Sequence, residues 1–287
     1  MLFASYEERC LSVAKEAANA NFAGNVLIYF CDDISDQGSK EHLQKMQSLF
    51  DSCEIAPVQY TSPISMIHHA AEFSFQERVL VDITCFNREN FFSFLWASKF
   101  GIMTFPQLSF AYTRANSYGD WLSRDYGAAH NIIGFGGTRS PHTFRHLICC
   151  VGFESERAMH IVVGLEPSSL TLAVGTNPPK DAFVERNNSD IQRVFGNQDF
   201  EITEINLADP NKCLRQLEQI VEMVPDNNSI HIAPFSNKMS CLAIYSMWLA
   251  RPDIRIWNAQ PTTYNVVDYS AGVKSTEYLT VIWNEIT

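Results

Sequence analysis

The feature that most restricts the fold of this 287-residue chain is an internal repetition. The stretch FASYEERCLSVA at residues 3–14 has a counterpart in VGFESERAMHIVV at residues 151–163. Both pass from an apolar run through an aromatic residue to an arginine, and Arg9 matches Arg157 at an offset of 148. Such a return of one unusual pattern suggests that the chain contains two copies of a single unit.

Two further landmarks recur in the same order. Asn87-Arg88 matches Asn237-Lys238 at an offset of 150, and Asp125–Ala128 matches Asp268–Ala271 at an offset of 143. The smaller offset predicts that the second copy is shorter in this loop. Three landmarks in the same order, with similar segments between them, predict an internal duplication.

Apolar runs alternate with amphipathic segments in both copies, which predicts parallel strands joined by right-handed helical crossovers. The strands predicted for the first copy are Met1–Ala4, Val26–Phe30, Ile55–Tyr60, Arg78–Ile83 and Gln107–Tyr112. Those predicted for the second copy are His146–Phe153, Leu170–Val174, Phe200–Ile205, Ser229–Ala233 and Ile254–Trp257. The predicted helices are Glu7–Ala20, Lys40–Cys53, Ile64–Phe73, Asn90–Phe100, Ser155–Val163, Asn211–Met223 and Met239–Ala250.

We therefore predict an α/β fold with two Rossmann-like halves related by internal duplication. The first repeat spans residues 1–122 and the second spans residues 146–287. A connecting segment at residues 123–145 joins them and includes the stretch GFGGTRSPH, with a short strand predicted at Ile132–Phe135.

Composition excludes several classes of protein. A formal net charge of -11 disfavours general coating of nucleic acid, although a few local cations suffice for one small anion. No apolar run reaches the roughly 18 residues of a membrane span, and no secretory signal begins the chain, so we expect a cytoplasmic protein. None of the eight cysteines forms a CxxC pair and the histidines lack ligand spacing, so we expect reduced thiols and no metal site.

The first candidate site follows the first predicted strand of each copy. In a doubly wound sheet, ligands bind beyond the carboxyl ends of the strands, and the repeated motif lies there. Its candidate ligand-binding residues are Ser5, Glu7, Arg9, Glu154 and Arg157. The alternative is that the motif only caps a helix, with a Glu–Arg pair that holds the turn.

The second candidate site follows the fourth predicted strand of each copy. In DITCFNR and IAPFSNK, a cation stands at the seventh position, where a helix begins. Arg88 and Lys238 would bind an anion beside the helix amides, and Asn87 and Asn237 would donate hydrogen bonds to the ligand. The alternative is that both cations are solvated residues of a first helical turn.

The third candidate site lies on a loop near the end of the second copy. Tyr264, Asn265 and Tyr269 carry polar groups suited to stacking on, or hydrogen bonding with, a base. Ordinary loop packing is the alternative. The glycines at 134–137 lack the lysine and hydroxyl residue of a phosphate-binding P-loop, and no cofactor is predicted.

The DITCFNR stretch resembles the [DN]-x-[ST]-x-x-x-[RK] signature of CARF domains, through Asp82, Thr84 and Arg88. CARF and the related SAVED domains are Rossmann-like sensors of cyclic nucleotides in bacterial antiviral systems, and SAVED domains resemble two fused CARF units. The resemblance implies that Thr84 and Arg88 line the ligand cleft, with Asn87 adjacent. The second copy departs from the signature, because it retains only Lys238.

The main functional hypothesis is a sensor of a nucleotide or cyclic oligonucleotide that acts with a separate effector protein, since the two copies occupy the whole chain. In this reading the strand ends of the two halves share one cleft. The second hypothesis is an enzyme acting on a nucleotide or nucleic-acid end through Glu7, Glu8, Glu154 and Glu156, which would supply acid, base or Mg²⁺ ligands. The third is a protein-interaction scaffold without a small ligand.

Overall fold

The structure is a computed structural model that describes residues 1–31, 36–58, 63–72, 78–103, 105, 107–138, 144–176 and 181–281, with the backbone alone at 69–70, 181–185 and 281. It divides into two compact units. The first unit comprises Met1–Leu122 and Asn265–Thr287, and the second unit comprises Ser123–Tyr264. Each unit is an α/β structure with a largely parallel sheet.

The strands of the described residues are β1 (Leu2–Ala4), β2 (Leu27–Cys31), β3 (Glu54–Val58), β4 (Arg78–Asp82), β5 (Gln107–Arg114), β6 (Ser117–Tyr118), β7 (Ser123–Tyr126), β8 (His130–Asn131), β9 (Phe144–Val151), β10 (Ser169–Thr176), β11 (Glu201–Asn206), β12 (Asn228–Phe235), β13 (Arg255–Asn258), β14 (Pro261–Tyr264), β15 (Ser270–Ala271) and β16 (Ser275–Val281). The helices are α1 (Ser12–Asn19), α2 (Gln37–Ser48), α3 (Pro63–Ala71), α4 (Arg88–Lys99), α5 (Ser155–Leu165), α6 (Asp181–Phe195), α7 (Pro210–Met223) and α8 (Lys238–Ala250). A 3₁₀ turn at Glu8–Leu11 precedes α1.

The sheet of the first unit has two ladders that meet at β1. Strands β1, β2 and β3 pair in parallel, β4 pairs in parallel with β5, and β16 runs antiparallel along β5. The amide of Asp82 donates to the carbonyl of Met1 over 2.9 Å, which places β4 beside β1. The resulting strand order is β3-β2-β1-β4-β5-β16.

The sheet of the second unit has the order β11-β10-β9-β12-β13-β8. Strands β9 to β13 are parallel, and β8 is antiparallel to β13. In both units the first strand is central, the second and third extend to one side, and the fourth and fifth extend to the other. This is the 3-2-1-4-5 order found in doubly wound α/β sheets.

The last strand of each sheet comes from the other half of the sequence. β16 completes the first unit, and β8 completes the second. Two short ladders follow the same rule, since β6 pairs with β15 in the first unit and β7 pairs with β14 in the second. The compact units therefore assign 123–145 and 265–287 differently from the predicted repeat boundaries, because backbone pairing rather than sequence order decides which unit a strand joins.

The core of the second unit illustrates the burial that fixes the strands. Alternate residues of β9 and β12 pack against α5 and α6 in a buried apolar cluster. The cluster includes Leu147, Cys149, Val151, Ala158, Ile161, Leu172, Ile191, Phe195, Ala233 and Phe235. Side chains that alternate between two buried faces explain why these strands are nearly continuous apolar runs in the sequence.

The predicted strand at Ile132–Phe135 is wrong. The amide of Phe135 donates to the carbonyl of Ile132 in a turn, and the antiparallel edge strand lies just before it, at His130–Asn131. Helix α6 was not predicted at all. Its buried face carries Asn187 one turn before Ile191, so a polar run interrupts the apolar period that marks a helix.

Parts of some predictions lie outside the described residues: residues 59–60 of the third strand, Phe73 of the third helix, and residues 139–142 of GFGGTRSPH. Among the described residues, no helix is both long and apolar enough to cross a membrane.

Candidate functional site

The repeated motif of the first unit forms a buried ion pair at the carboxyl end of β1. Arg9 donates from Nε to Glu7 Oε2 over 2.7 Å, and from Nη1 to the carbonyl of Thr113 at the end of β5 over 3.0 Å. The hydroxyl of Ser270, in β15, also donates to Glu7 Oε2 over 2.7 Å. Glu7 and Arg9 therefore connect three segments that are distant in the sequence.

The second unit contains the same arrangement. Arg157 donates from Nη1 to Glu154 Oε2 over 3.1 Å and from Nε to the carbonyl of Ala259, which follows β13, over 2.7 Å. Its Nη2 donates to Asn258 Oδ1 over 2.8 Å. The hydroxyl of Ser123, in β7, donates to Glu154 Oε1.

Both ion pairs are buried, and their hydrogen-bonding groups are largely used within the protein. Arg9 is 6% exposed and Arg157 is 3% exposed. A guanidinium held by a carboxylate, a carbonyl and surrounding side chains fixes strand ends relative to one another. This geometry agrees with the alternative reading of the motif, in which a Glu–Arg pair holds the turn.

The remaining groups of this region in the first unit are also engaged. The carbonyl of Ser5 accepts hydrogen bonds from the Cys10 thiol at 3.5 Å and from His42 Nδ1 at 2.7 Å. The Cys85 thiol donates to Glu7 Oε1 at 3.6 Å, and burial together with the charge of Glu7 raises the pKa of this thiol. The group is therefore a neutral thiol at neutral pH and a poor nucleophile.

The second candidate site lies at the starts of α4 and α8. Asn87 caps α4 by accepting from the amide of Asn90 at 2.6 Å, and Asn237 caps α8 by accepting from the amide of Ser240 at 3.0 Å. Asn237 also donates from Nδ2 to the carbonyl of Leu207 at 2.8 Å. The Oδ1 atom of each asparagine therefore satisfies a helix amide.

Arg88 and Lys238 are the first residues of these capped helices. Both side chains are half-buried. Each cation thus lies at the carboxyl end of the fourth strand of its unit, where helix amides add positive potential. This placement is the one that the sequence predicts.

Thr84 and Asp82 form a local structure at the end of β4. The amide of Thr84 donates to Asp82 Oδ1 at 3.0 Å, and Thr84 Oγ1 accepts from the amide of Thr113 at 2.9 Å. Burial raises the pKa of the Asp82 carboxyl to about 6. Because Arg9 contacts the carbonyl of Thr113, the structure brings Thr84 and Arg9 to the same residue of β5.

The third candidate site is divided between the units. Tyr264 belongs to the second unit, where its hydroxyl accepts from Gln260 Nε2 at 2.9 Å. Asn265 and Tyr269 belong to the first unit. Asn265 closes a turn through the carbonyl and amide of Asp268, and the ring of Tyr269 contacts Tyr6 edge-on at 5.7 Å.

Four residues of these buried networks were not identified from the sequence: Thr113, Ser123, Asn258 and Ser270. Each contacts its Glu–Arg pair from a segment more than 25 positions away. The spacing of residues around the motif therefore does not indicate these contacts. The ordered repeat of a serine near the end of each copy, Ser123 and Ser270, is the one pattern that could have revealed two of them.

The described part of the chain contains no group of three or more histidine, cysteine, aspartate or glutamate side chains that could hold a metal ion. All eight cysteines are free thiols. Neither protein-family models nor curated protein sequences give a match to this chain.

Proposed function

We propose that the protein is a ligand-sensing module of two Rossmann-like halves that arose by internal duplication, and that it binds an anionic, nucleotide-like ligand. The observation that carries this proposal is the common construction of α4 and α8. After the fourth strand of each unit, an asparagine caps the helix and a cation is its first residue. Arg88 and Lys238 thereby combine with helix amides in the manner of an anion-binding site.

The matching contacts of the two units support the duplication. Arg9 and Arg157 each bind a glutamate and a carbonyl at the end of the fifth strand. Ser123 and Ser270 each donate to that glutamate, at an offset of 147. By these contacts Ser270 corresponds to Ser123, whereas the offset of 143 predicts that it corresponds to Gly127.

A binding role is better supported than a catalytic one. Glu7 and Glu154 each accept hydrogen bonds from an arginine and a serine, and both are buried. A carboxylate in this state has lost much of its capacity to accept a substrate proton or to hold Mg²⁺. Glu8 and Glu156 are exposed, but Glu156 pairs with Arg193 at 2.9 Å.

The resemblance to CARF and SAVED domains supplies the wider context of the proposal. It implies a cytoplasmic sensor in bacterial antiviral defence whose signal is read by a separate effector protein. In this view Thr84 positions β5 through the amide of Thr113, and Arg88 contacts the ligand. The net charge of -11 agrees with a small ligand held by local cations rather than with coating of a nucleic acid.

The test compares the cations at the starts of α4 and α8 with a cation at the end of α4. Arg88→Ala and Lys238→Ala should each weaken binding of ribonucleoside 5′-monophosphates or a cyclic dinucleotide, measured by calorimetry, because a charge-assisted hydrogen bond is lost. The expected loss is about 10- to 150-fold in affinity. Lys99→Ala is the matched control, because Lys99 lies in the last turn of the same helix and should leave affinity unchanged.

Mass spectrometry of small molecules released from the purified protein identifies the natural ligand class directly. Unchanged affinity in both variants would show that Arg88 and Lys238 do not bind the anion and are solvated residues of a first helical turn. Turnover of a nucleotide in the presence of Mg²⁺ would instead favour the enzyme hypothesis. Absence of any bound or binding anion would favour a protein-interaction scaffold.

A further inference from the structure

One buried stripe of α4 carries polar groups that the protein leaves without hydrogen bonds. Asn90 and Ser93 are both fully buried, and they are one turn apart on the same side of the helix. Within the described part of the chain, neither Nδ2 nor Oδ1 of Asn90 has a hydrogen-bond partner, and the same is true of Ser93 Oγ. Three unmet polar atoms therefore lie on one short surface.

This stripe is unusual for its surroundings. Phe91, Phe92 and Phe94 on the same helix are fully buried, so the polar stripe lies within an apolar region. Buried polar atoms lose their hydrogen bonds to water, and native proteins normally replace those bonds. The backbone amide of Asn90 donates to the Asn87 cap, so the missing hydrogen bonds at this position are those of the side chain alone.

The second unit provides an internal comparison. The amide of Ser240 donates to the Asn237 cap, as the amide of Asn90 donates to Asn87, so the two positions correspond. Ser240 Oγ donates to the carbonyl of Asn237 at 2.7 Å and also bonds to Ser236 Oγ at 2.5 Å. Ala243 stands where the first unit has Ser93. The unmet stripe is thus a property of α4 that its counterpart α8 does not share.

We propose that Asn90 and Ser93 bind the hydrogen-bonding edge of a nucleobase. This inference rests on the proposed function and specifies which part of the ligand the first unit recognises. A carboxamide offers an adjacent donor and acceptor, which pair with an adjacent acceptor and donor on a base edge. The Ser93 hydroxyl provides a third bond, and Arg88 at the start of the same helix attracts the phosphate.

The ligand enters an open form of the first unit, because the stripe is covered in the closed form. Helix α3 packs against α4, and we take its displacement to be the step that opens this site. The closed form leaves three hydrogen bonds unmade, whereas the ligand-bound open form makes them. Ligand binding therefore favours the open form through a difference in hydrogen bonding, which is the requirement for shifting a conformational equilibrium.

The experiment separates recognition of the base from recognition of the phosphate. Calorimetry compares the four ribonucleoside 5′-monophosphates with ribose 5-phosphate, which lacks the base. We expect at least one monophosphate to bind about 10-fold or more tightly than ribose 5-phosphate, as expected for two or more hydrogen bonds. Asn90→Leu and Ser93→Ala should remove that preference while binding of ribose 5-phosphate is unchanged.

Thermal melting without ligand provides a second readout that a ligand site and a structural role affect differently. Asn90→Leu replaces unmet polar atoms by apolar atoms of similar size, so melting should be unchanged or higher. Ser240→Ala is the matched control in the second unit. It removes a hydroxyl that has partners, so it should lower melting and leave the base preference intact.

Three results distinguish this inference from the proposed function. A base preference that survives in Asn90→Leu and Ser93→Ala overturns the inference. Equal binding of ribose 5-phosphate and all four monophosphates also overturns it, but leaves an Arg88-dependent anion site in place. If neither ribose 5-phosphate nor any monophosphate binds, both proposals fail.

Discussion

The two units share a scaffold but differ in the polar contacts at the start of the helix that follows the fourth strand. Both have the same strand order and the same Ser–Glu–Arg network, and both have an asparagine-capped helix after the fourth strand. The second unit then closes its helix start with Ser236 and Ser240, whereas the first leaves Asn90 and Ser93 without partners among the described residues. The two units therefore differ at this helix start although their strand orders match.

The largest expected effect concerns the buried ion pairs that the units have in common. Arg9→Leu and Arg157→Leu should each lower the free energy of unfolding by about 3–5 kcal/mol, because each leaves a buried carboxylate without its cation. Urea unfolding at neutral pH measures the loss. Arg193→Leu is the control, since Arg193 forms an exposed pair with Glu156 and should cost less than about 1 kcal/mol.

A second comparison asks whether the charge or the packing of these pairs matters more. Replacement of both Glu154 and Arg157 by leucine should cost less than Arg157→Leu alone, because no unpaired charge remains. Equal costs for the single and double variants would contradict this explanation. A large effect in only one unit would show that the two networks are not equivalent.

The next effect is a pH dependence of stability in the first unit. Burial raises the pKa of Asp82 to about 6, from 3.8 in the unfolded chain. The folded form therefore binds the proton more tightly, so the stabilisation is complete below about pH 4 and is lost as pH rises to about 6. The change is about 3 kcal/mol, and Asp82→Asn should remove it from urea unfolding measured across this range.

The second unit should show a pH dependence of opposite sign. Burial lowers the pKa of His231 to about 4, with a further contribution from Arg255, whereas the unfolded value is 6.5. Its contribution is complete above about pH 6.5 and is lost as pH falls towards 4, again by about 3 kcal/mol. His231→Gln retains groups that can bond to Trp257 and Ser229. It should remove the fall in the free energy of unfolding between about pH 6.5 and pH 4. A variant of either residue that leaves the pH profile unchanged would contradict the assignment.

The smallest of these effects tests the serines that reach the buried pairs. Ser270→Ala in the first unit and Ser123→Ala in the second each remove one hydrogen bond to a buried carboxylate. We expect a loss of about 1.5–3 kcal/mol from each in thermal or urea unfolding. Similar losses would support the equivalence of the two networks, and Ser275→Ala at an exposed position of β16 should have little effect.

Much of the fold could be predicted from the sequence because the central strands and helices bury regular patterns. β2 is buried along almost its whole length and was recognised from the continuous apolar run at Val26–Phe30. The starts of α4 and α8 were predicted within two residues, since the apolar segments that follow Arg88 and Lys238 are typical of buried helices. The capping role of Asn87 and Asn237 was not predicted, because both were assigned to ligand binding. The α/β class follows from the same alternation of segments.

The sequence did not reveal which segment completes each sheet. β16 is half exposed and pairs with β5, which lies more than 150 residues earlier, so neither its composition nor its neighbours indicate the partner. Prediction of the candidate site from the sequence met the same limit. The position of Arg9 was predicted, but its burial depends on Thr113, Glu7 and Ser270, which meet only in the folded chain.

The origin of β16 has a consequence for folding during synthesis. The second unit is one continuous segment, Ser123–Tyr264, so all its strands have been made before β16 leaves the ribosome. The first unit is begun earlier but must wait for Ser275–Val281 to cover the edge of β5. During that interval β5 presents unpaired backbone groups, which are prone to pairing with other nascent chains. The half that is translated first is therefore the last to be completed.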